Sequence, residues 1–141
     1  MPDDNNESKI SLAKYRLGQA LDCLGSAQRE IEAGSYKSAA NRSYYCIFHS
    51  MRALLAIDGF DSKKHSGIIS AFRQCYIKTS VFPAEFSDII RDAFDARGNS
   101  DYEDFFVISK EDVLAQVENA KIFNEAVAVY IEALIFSAMD R

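Results

Sequence analysis

No stretch of the 141 residues alternates apolar and polar side chains with period two over the length of a strand, so nothing in the chain asks for a sheet. No apolar run approaches the about 20 residues that cross a bilayer. The opening MPDDNNESKI is acidic and polar, without the apolar centre of a signal peptide, and the expectation is a cytoplasmic protein that does not enter a membrane. Positive charge is scarce: 16 Lys and Arg stand against 21 Asp and Glu, a net charge of −5. Broad electrostatic capture of nucleic acid needs many cations near phosphates, so only a small local basic patch is left open. Cysteine is equally sparse. Cys23, Cys46 and Cys75 are odd in number, far apart and set in helical apolar patterns, which suggests neither a disulfide framework nor a zinc site. Neither a metal nor a cofactor is expected.

What is present is helical periodicity. From about Ser8 to Ala33, Ala13, Leu17, Ala20, Leu21, Leu24, Ala27 and Ile31 recur at helix spacing, and Gly34 stands where that helix stops. Ser35 can cap a second helix, which Asp58-Gly59 closes; so short a join predicts an antiparallel hairpin. Ser62 is a good cap for a third helix reaching about Lys78, with Ile68, Ile69, Phe72, Cys75 and Tyr76 as its buried set. Pro83 fits the first turn of a fourth, along which Phe86, Ile89, Ile90, Ala93, Phe94 and Arg97 follow on one face and which ends at Gly98-Asn99. After an irregular stretch from Ser100 to Ile108, Ser109 and Asp112 resemble a capping box before a long last helix. The predicted fold is an all-α, antiparallel up-and-down bundle of four to five helices, with residues 1–7 as a flexible N-terminus and 8–139 as one domain.

The second helix carries two faces. Tyr44, Ile47, Phe48, Met51, Leu54 and Leu55 form a core stripe, while Ser38, Asn41, Arg42, Tyr45, His49 and Arg52 form a polar one. A polar stripe is what an amphipathic helix ordinarily shows to solvent; the functional alternative is that guanidinium, phenol and imidazole work together. Two further places can carry chemistry. Ser62-Lys63-Lys64-His65-Ser66-Gly67 gathers two cations and an imidazole at a helix N-terminus, where backbone N–H groups favour an anion. Arg97 is followed by Asp101 and Tyr102; either these three cap the bundle end among themselves, or Arg97 holds a phosphate while Tyr102 positions a base.

Asn41 to His49, Ser62 to Gly67, and Arg97 with Asp101-Tyr102 together resemble, in content and order, the small standalone HEPN-domain proteins of bacteria and archaea, over roughly Leu12 to Leu134. The resemblance implies a homodimer, often encoded beside a minimal nucleotidyltransferase partner as a toxin–antitoxin or stress and defence pair. It also implies, in many relatives, a metal-independent ribonuclease site built from an arginine and a histidine a few residues later. This chain departs from that pattern: no histidine lies between Gly98 and Ile108, and Asp101-Tyr102 stands instead. A carboxylate serves poorly as the acid at neutral pH.

Two functions follow from this reading. In the first, the protein is a dimeric module that binds a nucleotide or a nucleotidyltransferase partner through Arg97, Asp101, Tyr102, Tyr45, Lys64 and His65. In the second, it is a ribonuclease toxin in which His49 is the acid or base and Arg42 and Arg97 clamp the phosphate. The missing histidine and the negative net charge favour the first.

Overall fold

The computed structural model describes residues 4–102 and 108–139. Among the described residues five α-helices follow one another: α1 (Asp4–Glu32), α2 (Tyr36–Ile57), α3 (His65–Phe72), α4 (Glu85–Tyr102) and α5 (Lys110–Met139). A single π turn, Arg73–Ile77, continues α3, and among the described residues there is no strand. Among the described residues no helix is long and apolar enough to cross a membrane.

The α1–α2 hairpin turns as its residues require. Gly34 takes the left-handed φ of +77° that ends α1, and Gly59 repeats it beyond α2. α2 is the central element, packing against every other helix. The stripe read from sequence is its buried side: Tyr44, Ile47, Phe48, Met51, Leu54 and Leu55 are all buried, and Ala40, Cys46, Ser50 and Ala53 are buried around them. Small residues on those other faces let neighbours approach. α5 lies against α2, where the Cys46 thiol donates to the Ala120 carbonyl at 3.9 Å and buried Asn124 donates to the Ser50 hydroxyl at 3.0 Å; Phe123, Val127 and Ile131 of α5 are fully buried in the same core. The expected cap at Ser109 is made, its hydroxyl accepting from the Asp112 N–H at 3.1 Å.

Several local expectations fail; among them, Ser35 makes no side-chain cap to α2 and Leu21 is exposed. α1 starts at Asp4, ahead of Ser8. The third helix starts at His65, because Ser62 folds back to accept from the Lys64 N–H at 3.2 Å instead of capping at its expected place. A Cβ at Gly67 would collide with that Ser62 side chain, which explains the glycine. Cys75 is exposed and Phe94 is 40% exposed, so both leave their expected core faces. The π turn accounts for the first, since one extra residue in the turn rotates Cys75 outward while Tyr76 stays buried. Gly98-Asn99 does not end α4 either. The backbone continues helical to Tyr102, an interior glycine costing only about 1 kcal/mol relative to alanine.

Candidate functional site

The site forms where the middle of α2 meets the start of α3 and the last turns of α4. From α2 come Tyr44, Tyr45, Phe48, His49 and Arg52; α3 supplies His65 and α4 supplies Arg97. Tyr44 is wholly buried, and its hydroxyl lies 2.8 Å from His65 Nδ1. Burial pushes this phenol up to about 12 against the pull of Arg97, so it keeps its proton. It can donate to a neutral imidazole or accept from a protonated one, and so accompanies His65 through either state. Arg97 Nη2 donates to the Tyr45 hydroxyl at 3.3 Å, and its Cζ lies 5.5 Å and 5.7 Å from the ring centroids of Tyr44 and Tyr45. The His65 ring packs 4.2 Å from that of Phe48.

His49 lies 6.0 Å from Tyr45 and 5.9 Å from Phe48 between ring centroids. Its Nδ1 is buried without a hydrogen-bond partner among the described residues. Burial lowers its affinity for a proton, and Arg52, Arg16, His65 and Arg42 lower it further. Burial likewise lowers His65, with Arg97 and Arg52 adding to it. Beyond His49, Arg52 and the buried Arg16 both reach Asp61 at 3.3 Å, and Arg16 also donates to the Arg52 carbonyl. Burial raises Asp61, but the Ser62 N–H and the two arginines outweigh it and hold that carboxyl below its ordinary value.

The residues expected from sequence are therefore partly united. Tyr45, His49, His65 and Arg97 share one network across three helices. Arg42 is exposed at its margin, its guanidinium turned to the Cys23 side chain on α1. Lys64 is exposed at the head of α3, and its side chain joins none of these contacts. The side chains of Asp101 and Tyr102 lie outside the described residues. Sequence reasoning placed Tyr44 and Phe48 in the core only, and passed over Arg16 and Asp61. For Tyr44 the signal was available, because a tyrosine on a fully buried stripe needs a partner for its hydroxyl.

Both histidines resist protonation, which gives stability a defined pH dependence. The unfolded chain binds protons at the ordinary histidine value of about 6.5, whereas the folded chain binds them only at lower pH. Their contribution is therefore present above about pH 6.5 and lost as pH falls through the folded values. Thermal unfolding across about pH 7 to 5 should show a falling midpoint, and the fall should be shallower in His49→Gln/His65→Gln; equal slopes would contradict this assignment.

Comparison with known proteins gives a match to the family model described as HEPN domain over residues 13–130. A UPF0332 protein of Thermotoga maritima is 30% identical over 126 residues, covering 89% of this chain and 96% of that one. A UPF0332 protein of Archaeoglobus fulgidus is 32% identical over 110 residues, 78% and 87% of the two chains. A Methanocaldococcus jannaschii protein named "Putative toxin MJ0142" is 30% identical over 131 residues, 87% and 89%.

Proposed function

Because the chain belongs to the HEPN domain family, we propose that it is a toxin-like member whose α2–α3–α4 cleft binds the phosphates of RNA or of a nucleotide. One observation carries the reading. In a chain of net charge −5, Arg97, His49 and His65 gather around Tyr44 and Tyr45, and Arg52 over the Phe48 ring and Arg16 continue the cluster to Asp61, which they share. Guanidinium groups suit phosphate through their planar fork of donors, and the neutral imidazoles become cations when an anion arrives. The toxin name of the Methanocaldococcus relative supports the same direction. As the family resemblance implies, the proposal includes a homodimer and a minimal nucleotidyltransferase partner. Leu114, Ile122, Val129 and Phe136, exposed along α5 at steps of seven to eight residues, are consistent with association through that helix.

A second reading, metal-independent cleavage, is favoured by the two histidines flanking Tyr45. Opening a ribose phosphate needs a base for the 2′-hydroxyl, an acid for the leaving oxygen and a cation on the phosphate. His49 and His65 are two candidates for proton transfer, and Arg97 is the cation. His65 thereby supplies what the stretch after Arg97 lacks.

The test is labelled single-stranded RNA with purified protein in EDTA, read for retention and for scission, in wild type, His49→Gln and His65→Gln. Retention is expected in wild type and weakens as salt rises. Scission lost in both variants, with their helical content intact, establishes the second reading. Retention without scission removes that reading and leaves the first, and RNA left wholly unbound, with adenosine monophosphate giving no binding by calorimetry either, overturns both.

A further inference from the structure

Beside the cleft, between α3 with its π turn and α4, runs a groove of about 390 Å³. Its floor is apolar, from Ile69, Ile90 and the half-exposed ring of Phe94, and its wall carries Arg73, Gln74 and Lys78. None of these residues belongs to the cationic network described above. We propose that this groove seats one nucleoside phosphate unit, its base on Phe94 and its phosphate on Arg73 and Lys78. The proposal deepens the reading of the cleft as a phosphate site and rests on it for the groove's role as a neighbouring subsite.

Three features lead there. The first is the π turn, in which the Lys78 N–H donates to the Arg73 carbonyl at 2.9 Å and closes a ring five residues long. Such turns commonly mark functional positions, and this one brings both ends, Arg73 and Lys78, to the same groove. The second is charge. Arg91, also on the groove, is held by Asp88 at 3.2 Å and by Asp92 at 3.3 Å, so it is already neutralised. Arg73, by contrast, donates Nη2 to the neutral Ser87 carbonyl, and neither it nor Lys78 has a carboxylate partner among the described residues. An anion is the ligand these two can take without breaking an existing ion pair. The third is continuity. Phe94 meets the Tyr44 ring edge-on at 6.0 Å, and Tyr44 holds His65 from the other side. A ring exposed on an apolar floor beside cations is a stacking platform for a base, tolerant of which base it takes.

A nucleoside phosphate reaches the groove either as a free mononucleotide or as the nucleotide next to the phosphate in the cleft. Calorimetric titration of the purified protein with adenosine monophosphate and, separately, with a short single-stranded RNA distinguishes these sources. The variants are Lys78→Glu, Phe94→Ala and, for the cleft, Arg97→Ala, each checked for unchanged helical content. Lys78 is exposed, so its reversal tests charge without disturbing the core. RNA affinity is expected to fall about tenfold in Lys78→Glu and in Phe94→Ala, since one charge-assisted contact or one stacked base is involved. If adenosine monophosphate also binds and loses affinity in those two variants but not in Arg97→Ala, the groove accepts the free nucleotide. If it does not bind while RNA still falls, the groove accepts the unit only within a strand. Affinities for both probes that stay within about twofold of wild type in Lys78→Glu and Phe94→Ala overturn the proposal. Failure of the cleft reading looks different: RNA affinity then survives Arg97→Ala while still falling in the groove variants.

Discussion

Phe123→Ala should lower the stability of the protein by about 3–5 kcal/mol, the range for emptying a phenylalanine site in a packed core. Phe123 is fully buried on α5, with ring centroids 5.4 Å from Phe72 and 4.9 Å from Phe86. Phe82 stacks on Phe86 at 5.4 Å and lies 5.8 Å from Phe72, so one aromatic cluster joins α3, the following loop, α4 and α5. Because domains of this size have total stabilities of about 5–15 kcal/mol, the loss is a large share of what holds the chain folded. Urea unfolding should show it as a lower midpoint at unchanged slope, with the thermal midpoint down by roughly 10 °C. Phe123→Leu, which keeps most of the volume, should lose less than half as much. The site should suffer with the core, since His65 and Arg97 sit on the two helices, α3 and α4, that Phe123 ties to α5. A Phe123→Ala protein as stable as wild type would mean that the aromatic cluster is not where these helices are joined.

The parts of this architecture that sequence reveals are those set by local period and by special backbone angles. The α2 stripe from Tyr44 to Leu55 is legible because residues three and four apart share a helix face wherever the helix is placed. Gly34 and Gly59 are legible because only glycine adopts their φ of +77° without strain. Ser109 is legible because its cap is made within three residues. What escaped depends on distant partners or on a change of period. The π turn shifts the face pattern by one position, so a strict helical count buries Cys75 in error. His65 and Tyr44 are 21 residues apart, and only the packing of α3 on α2 brings the imidazole to the phenol. The histidine that packing brings to the tyrosines under Arg97 therefore lies on α3, outside the stretch after Arg97. Arg42 illustrates the converse: its spacing to His49 puts it on the right stripe, but the proximity of α1 turns it toward Cys23.

Arg97→Ala should weaken RNA binding by about 30- to 100-fold, equivalent to roughly 2–3 kcal/mol for charge-assisted hydrogen bonds to a phosphate. The side chain is fixed by both tyrosine rings and by the Tyr45 hydroxyl, so its guanidinium meets the ligand with little orientational freedom left to lose. Loss of the ring contacts alone would cost stability by only about 0.5–1 kcal/mol, too little to unfold the chain. The plot of log affinity against log salt should also become shallower by about one ion, as expected when one phosphate contact disappears. Arg97→Lys separates charge from shape. A lysine restores the salt slope but neither the planar fork nor the same stacking, so affinity should recover in part. Arg42→Ala is the matched control, an exposed arginine at the margin of the network, and it should change affinity by no more than about threefold. If Arg42→Ala and Arg97→Ala behave alike, binding follows the general charge of α2 and its surroundings. If only Arg97→Ala loses affinity, the phosphate lies where α4 closes over Tyr44 and Tyr45, within reach of the histidine that Tyr44 holds.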